Sequence, residues 1–222
     1  MAVYLRFGGQ WFEAEPQGEG FNINAEMLGE LRISCYQRPW LFESLHPLGD
    51  FLLGKSRNDY SQFGEDGLIE AALERFGAVN RWCFEVGAGD GETLSNTKRL
   101  RNLGWQAVLI EAEESRCREG IVHCRIGPDD LDRILTEQGA PSDLDFGCID
   151  VDGQDWHIFY GLLKHRPRLL MVEYCLQDNG IPSLGGEGQA GLTAMLALGR
   201  EKRYVPLART NVNILYAAKG LA

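Results

Sequence analysis

The sequence predicts an α/β fold: a mostly parallel seven-stranded sheet with helices on both faces and a C-terminal antiparallel hairpin. Two observations predict it. From about residue 59 onward, short apolar runs alternate with segments of helical periodicity, and repeated strand–helix units favour a parallel sheet covered on both faces. The last two apolar runs follow each other almost directly, so they must pair antiparallel.

The elements follow one another with clear boundary signals. Glycine ends two of the helices, at Gly104 and Gly139, and Pro128 opens another. The predicted helices are 61–76, 95–103, 128–139, 155–165 and 190–203. The predicted strands are 81–86, 105–112, 121–126, 144–150, 168–175, 204–210 and 212–219. A glycine-rich loop over 176–189 is long for such a unit, which favours a lid, with a surface excursion as the alternative.

The first 58 residues do not share this pattern. VYLRF-GGQ-WFEAE alternates on both sides of a glycine turn, which predicts a β-hairpin. Residues 26–53 are mixed and could hold a helix. We therefore expect an N-terminal extension over 1–58, a hairpin plus an irregular or helical cap that serves as a lid or a dimer contact, and a main domain over 59–222.

Charge and cysteine usage limit the partners and the compartment. The 222 residues include 22 Lys and Arg against 32 Asp and Glu, a formal net charge of −10. This balance disfavours nucleic acid, whose phosphates require clustered cations. The sequence shows no secretory signal and no membrane span. The six cysteines form no CxxC pair, which favours buried thiols in the cytoplasm over a disulfide framework or a zinc site.

The sharpest motif is the run Glu85-Val86-Gly87-Ala88-Gly89-Asp90-Gly91 at the end of the first main-domain strand. Glycines there let the backbone approach a ligand and turn sharply. A dinucleotide fingerprint needs G-x-G-x-x-G, and Glu92 stands where its third glycine would be. The flanking acids fit a cationic ligand better than a pyrophosphate. A plain tight turn is the alternative.

Glu111 closes the next strand of the main domain. An acid at that place can accept both hydroxyls of a ribose. The alternative is an exposed carboxylate at a strand end, which the preceding glycine motif makes less attractive.

Five runs together resemble one known family: SQFGEDG (61–67), EVGAGDGETLSNT (85–97), GW..VLIEA (104–112), CIDVDGQDW (148–156) and PRLLMVEY (167–174). They are similar to the FkbM-like branch of class I S-adenosylmethionine-dependent methyltransferases, from about Tyr60 to the C-terminus. The resemblance implies a Rossmann-like class I methyltransferase fold with S-adenosylmethionine as cofactor. The residues expected at the cofactor are Gln62, Glu85, Gly87, Ala88, Gly89, Asp90, Ser95, Asn96, Glu111 and Ala112. Asp66 belongs to the same pattern without an assigned role.

A second group of acids follows the next two strands of the sheet. Asp150 and Asp152 are the candidate catalytic residues, with Asp150 nearest the acceptor, because an alcohol must lose its proton to accept a methyl group. Asp150 and Glu173 are the alternative ligands for a divalent cation such as Mg²⁺. In the plainer interpretation Asp152 forms a turn and Asp155 caps a helix. We favour that interpretation for Asp155 alone.

Side chains near these acids could also serve the reaction. His157 could act as a base, and Trp156, Tyr160 and Tyr174 could stack on an acceptor. Ordinary packing explains all four residues equally well.

Taken together, the sequence predicts an S-adenosylmethionine-dependent O-methyltransferase. Its acceptor would be a hydroxyl of a sugar, a glycan or a secondary metabolite, with divalent-metal assistance as an option. The alternatives are a dinucleotide-dependent oxidoreductase and a non-catalytic cofactor-binding protein. The partners would be small molecules or glycans, and a homo-oligomer is compatible with the sequence.

Overall fold

The computed structural model describes residues 3–7, 10–17, 20–23, 43–176, 180–185 and 188–222. The chain forms two compact units, Met1–Leu41 and Phe42–Ala222. The boundary therefore lies before the one expected after residue 58. The physical reason is that β4 (Glu43–Ser44) joins the main sheet and α1 (Gly49–Leu53) packs beside it.

The N-terminal unit contains three antiparallel strands, β1 (Val3–Phe7), β2 (Gln10–Gln17) and β3 (Gly20–Ile23). The register pairs Phe7 with Gln10, which confirms the predicted hairpin. Strand β3 pairs with β2 and was not predicted. Residues 24–42, which include Cys35 and much of the expected cap, lie outside the described residues.

The main unit is built on one eight-stranded sheet with the order β4-β10-β11-β9-β8-β5-β6-β7. Strands β5 to β9 run parallel, and β11, β10 and β4 pair antiparallel at one side. All seven predicted strands are present, and the eighth is the two-residue β4. The remaining strands are β5 (Trp82–Val86), β6 (Gln106–Glu111), β7 (Ile121–His123), β8 (Phe146–Ile149), β9 (Leu169–Glu173), β10 (Tyr204–Arg209) and β11 (Asn213–Ala218).

The predicted helices are all present but shorter than the sequence patterns indicated. The helix expected over 155–165 ends at Gly161, because Leu162 already has an extended backbone. An added Cβ at Gly161 would overlap the carbonyl group of Pro128, so this helix end packs directly on a neighbouring loop. The helices are α2 (Glu65–Phe76), α3 (Lys98–Asn102), α4 (Leu131–Glu137), α5 (Asp155–Gly161) and α6 (Leu192–Glu201).

The core of the main unit lies on both faces of the sheet. Phe84, Ile149 and Val172 point to the face that carries α4, α5 and α6. Cys148 and Met171, on the opposite face, pack with α1 and α2. This alternation is the period of two that buried strands require, and it confirms the predicted α/β fold. In the described part of the chain, no helix is long and apolar enough to cross a membrane.

The parallel strands β5, β6, β8 and β9 all end at one side of the sheet, which we call the carboxyl edge. Ligands of open α/β sheets bind outside this edge, where the strand order reverses. Here the order reverses at β5, between β6 and β8. The predicted motifs at 85–91, 111, 150–155 and 173 follow these same four strands.

Candidate functional site

The glycine loop turns tightly after β5. The backbone N–H groups of Gly87 and Ala88 both donate to the carbonyl oxygen of Ile110, at 2.9 and 3.0 Å. Gly87 has a φ of +78°, and an added Cβ there would overlap the carbonyl oxygen of Asp150. Glycine is therefore required at this position, because it permits both the left-handed conformation and the close approach to the β8 loop.

Glu111, at the end of β6, holds the glycine loop from the neighbouring strand. Its Oε2 accepts a hydrogen bond from the N–H of Gly89 at 2.7 Å, and its Oε1 accepts one from Glu113 at 2.8 Å. The carboxylate is buried, and Ala112 beside it is half-buried. Each carboxylate oxygen has a further lone pair, so Glu111 can still accept a diol.

Glu85 is placed beneath the loop and bonded to the segment that follows it. Its carboxyl group accepts hydrogen bonds from the hydroxyls of Ser95 and Thr97, both at 2.6 Å, and from the N–H of Asn96 at 2.7 Å. Burial raises the pKa of Glu85, and these three hydrogen bonds oppose that shift. Glu85 thus positions Ser95 and Asn96, and both are buried with it.

Asp90 and Gln62 lie further from this buried network. Asp90 accepts hydrogen bonds from the N–H groups of Glu92 and Thr93 and forms an ion pair with Arg118 at 3.0 Å. The backbone hydrogen bonds are the main reason that its pKa is lowered. Gln62 has an exposed side chain in the loop before α2.

The role of Asp66 emerges from that same loop. Its Oδ2 accepts hydrogen bonds from three successive backbone N–H groups, those of residues 59, 60 and 61, at 2.7 to 2.8 Å. Asp66 is buried, and no hydrogen bond reaches its Oδ1. It therefore fixes the conformation of the loop that carries Gln62.

Asp150 and Glu173 follow β8 and β9, which are adjacent strands. The pairing of Ile149 with Val172 places their carboxyl groups side by side. Burial, with the negative charge of Asp155, raises the pKa of Asp150 to about 7. Burial and the charge of Asp150 raise the pKa of Glu173 to about 10. Glu173 therefore keeps its proton at neutral pH.

Asp152 and Asp155 serve the loop between β8 and α5. Asp155 is buried and accepts hydrogen bonds from the N–H groups of Val151 and Gly153, at 2.8 and 3.0 Å. It therefore fixes the loop before α5; the expected helix cap is not formed, because Asp155 is the first residue of the helix and the N-cap position is Gln154. Asp152 is exposed with a φ of +55°, and its N–H donates to Glu173 at 3.1 Å. Asp152 thus occupies a turn position.

The four ring residues divide between packing and loop contacts. Tyr174 is buried and donates its hydroxyl to the carbonyl oxygen of Thr210 at 2.9 Å, so it is a core residue. Trp156 stacks on Tyr160 with ring centroids 5.2 Å apart. The Nε2 of His157 lies 2.9 Å from the carbonyl oxygen of Pro182, which ties α5 to the β9–α6 loop.

Two residues that sequence reasoning missed also lie at the carboxyl edge. Glu65, in the first turn of α2, is 1% exposed and accepts hydrogen bonds from the hydroxyl of Thr210 at 2.9 Å and the Nδ2 of Asn213 at 3.4 Å. Asn213 stands opposite Glu173 in the register of β11 with β9. One feature of the sequence pointed to Glu65. It is an acid of the SQFGEDG run, and the helical pattern places it on the buried side of the predicted helix.

A cavity of about 400 Å³ lies at the opposite edge of the sheet, lined in part by Tyr160, His165, Arg166 and Lys202. It includes none of the residues predicted to bind a cofactor or to act in catalysis. The chemistry of the carboxyl edge, rather than the size of that cavity, therefore defines the candidate site.

The groups at the carboxyl edge are of the kinds that can bind S-adenosylmethionine. Gly89 has open space where a Cβ would project, and Glu111 offers carboxylate oxygens beside it. Asn96 is buried with an Oδ1 that receives no hydrogen bond. A metal ion fits less well, because the described residues include no group of three or more His, Cys, Asp and Glu placed to hold one.

Comparison with known proteins gives likeness of fold only. No protein-family profile matches the chain, and no curated protein matches it in sequence. Among solved structures, magnesium protoporphyrin IX methyltransferase from Synechocystis PCC 6803 matches at 9% identity and a TM-score of 0.47, over 70% of this chain and 78% of that one. A SAM-dependent methyltransferase from Archaeoglobus fulgidus matches at 13% and 0.38, over 62% and 68%. The cyclase SpnF matches at 14% and 0.43, over 71% and 68%.

Proposed function

We propose that this protein is an S-adenosylmethionine-dependent O-methyltransferase whose acceptor is a hydroxyl of a sugar, a glycan or a secondary metabolite. The observation that carries the proposal is the contact between the glycine loop and the β8 loop. Gly87 packs against the backbone of Asp150, so the expected cofactor loop and the carboxyl pair of Asp150 and Glu173 are direct neighbours. Donor and acceptor sites placed side by side are what a methyl transfer needs.

The cofactor would lie across the ends of β5 and β6. Glu111 would accept the ribose hydroxyls, and the backbone of Gly87, Ala88 and Gly89 would face the methionine part. Glu85 keeps Ser95 and Asn96 in place, which leaves the unpaired Oδ1 of Asn96 for a ligand donor. S-adenosylmethionine supplies a methyl group on a positively charged sulfur, and transfer leaves S-adenosylhomocysteine.

Asp150 would act as the general base. As the acceptor oxygen bonds to the methyl carbon and the carbon–sulfur bond breaks, the hydroxyl proton would pass to the Asp150 carboxylate. A base is most effective when its pKa lies near the working pH, and burial brings the pKa of Asp150 to about 7. Glu173 would stay protonated on the neighbouring strand and so leave the negative charge of the pair on Asp150. Asp152 would act through its N–H on Glu173.

Metal assistance is the alternative to this general base. Asp150 and Glu173 would then be ligands of a divalent ion such as Mg²⁺, but two carboxyl groups do not form a complete set. We therefore assign the proton transfer to Asp150 itself. The motif resemblance supports the FkbM-like branch. The cysteine usage supports a cytoplasmic enzyme, and the acidic balance supports small molecules or glycans rather than nucleic acid as its partners.

The test is methyl transfer from radiolabelled S-adenosylmethionine to a panel of glycans and hydroxylated metabolites, with and without EDTA. We expect label in an acceptor, and an undiminished rate in EDTA. Calorimetric titrations with S-adenosylhomocysteine and NAD separate the oxidoreductase alternative, since we expect binding of the first compound alone. Binding of S-adenosylhomocysteine without transfer to any acceptor would favour the non-catalytic alternative.

A further inference from the structure

Hydrogen-bond acceptors dominate the carboxyl edge beyond the cofactor loop. Glu65, Asp150 and Glu173 are placed there by α2, β8 and β9. Within the residues that the structure describes, none of these three acids forms an ion pair with Lys, Arg or His. Glu65 and Glu173 are buried and Asp150 is half-buried, and a buried carboxyl group needs hydrogen bonds or a cation to offset its lost hydration.

Strand register brings these groups to one face of the sheet. Asn213 is opposite Glu173, and Ile149 is opposite Val172, so Asp150, Glu173 and Asn213 belong to three adjacent strands. Alternation puts them on the same face as Cys148 and Met171, which pack with α2. Helix α2 also supplies Glu65, whose charge acts on the thiol of Cys148 together with that of Asp150.

An unpaired amide oxygen is the second, independent observation. Asn213 is 3% exposed, and its Oδ1 receives no hydrogen bond. Its Nδ2 donates to Glu65 on one side, while Glu173 stands opposite it on β9. Buried polar atoms are nearly always satisfied, and an exception needs an explanation such as a missing ligand. A ligand group that binds this oxygen would have to be a hydrogen-bond donor.

We propose that the acceptor carries a primary ammonium group beside its reacting hydroxyl, as in an amino sugar or an amino alcohol, and that Glu65 and Asn213 bind this ammonium. The inference rests on the proposed function for the reacting hydroxyl at Asp150. An ammonium group has three donors and one positive charge. It can donate a hydrogen bond to the Oδ1 of Asn213 and place its positive charge beside Glu65. A neutral hydroxyl could donate the hydrogen bond but carries no charge.

The experiment compares two probes that differ at one position, glucosamine and glucose, by ligand-observed NMR with the full chain at pH 7 and low salt. N-acetylglucosamine is a third probe that has the same ring but no charge. We expect glucosamine to bind at least about tenfold more tightly than either neutral sugar. Equal binding of the three sugars to the wild-type protein would overturn the proposal without the use of any variant.

The matched variants lie on one helix. Glu65→Gln should abolish the preference for glucosamine, while Glu74→Gln, at an exposed position of α2, should leave it unchanged. A preference that survives in folded Glu65→Gln contradicts the assignment. S-adenosylhomocysteine binding and methyl transfer are measured separately: if both occur while glucosamine has no advantage, the ammonium site fails and the proposed function stands. If S-adenosylhomocysteine does not bind while glucosamine keeps its advantage, the ammonium site stands and the proposed function fails.

Discussion

The carboxyl groups of Asp150 and Glu173 lie side by side at the ends of two adjacent parallel strands. Burial raises the pKa of both groups; the charge of Asp155 adds to the rise for Asp150, and the charge of Asp150 adds to the rise for Glu173. One of the pair is therefore protonated at neutral pH, and the other is available as a base. This relationship distinguishes these two acids from the ion-paired acids elsewhere in the described chain.

Asp150→Asn should abolish turnover while the cofactor site remains intact. The amide cannot accept the hydroxyl proton, and the loss of a general base costs about 10²- to 10⁴-fold in rate. Methyl transfer under single-turnover conditions measures the effect, and S-adenosylhomocysteine titration checks the cofactor site. Asp143→Asn, at an exposed position before β8, is the matched control. Full turnover of Asp150→Asn would remove Asp150 from the mechanism.

The rate of methyl transfer should rise as pH increases through about 7. Asp150 has a pKa raised to about 7 by burial and by the charge of Asp155, so its basic form accumulates above that pH. A pH–rate profile between pH 5 and 9 measures this. A profile that is flat across this range would show that no group of the enzyme titrates in the rate-limiting step.

Glu173→Gln should stabilise the protein, and more so at high pH. The folded-state pKa of Glu173 is raised to about 10, while the unfolded chain titrates near 4.3. Between these values the folded state holds the extra proton, so stability conferred by the acid is lost as pH rises. Glutamine has no such dependence. Melting temperatures at pH 5 and pH 9 should show a larger advantage for the variant at pH 9, and an equal difference would contradict the shift.

Gly87→Ala should destabilise the fold and prevent cofactor binding. The added methyl group meets the carbonyl oxygen of Asp150, and φ is +78°. Gly104→Ala is the control, because Gly104 has a φ of +83° and open space around its Cβ position. The control should cost only about 1 kcal/mol of backbone strain and leave S-adenosylhomocysteine affinity unchanged. Equal effects of the two variants would show that the close approach is unimportant.

Glu85→Ala should be among the most destabilising changes in the loop region. It leaves the two hydroxyls and the N–H of residues 95–97 without their acceptor, and each unpaired buried donor costs about 1–3 kcal/mol. Urea unfolding measures the loss. Glu92→Ala, an exposed acid of the same loop, should leave the midpoint unchanged. A small effect of Glu85→Ala would mean that water replaces the carboxylate easily.

The seven main strands were accessible from the sequence because each is a short apolar run bounded by turn residues, whereas their order in the sheet was not. Position at a strand end likewise predicted Glu111, Asp150 and Glu173. The contacts were less accessible. Glu65 and Asn213 meet across 148 residues, and no local pattern encodes such a pairing. Glu85 was expected at the cofactor, but only coordinates show that residues 95–97 occupy its oxygens.

The thiol of Cys148 lies near the carboxyl groups of Glu65, Glu85 and Asp150. This position bears on whether the protein would methylate its own sulfur. A thiolate beside an electrophilic methyl donor would be alkylated in place of the intended acceptor. Burial, with the charges of Glu85, Asp150 and Glu65, raises the pKa of this thiol well above its ordinary value, and the protonated form is a poor nucleophile. Burial and these neighbouring acids together therefore favour the unreactive, protonated form of the protein's own sulfur.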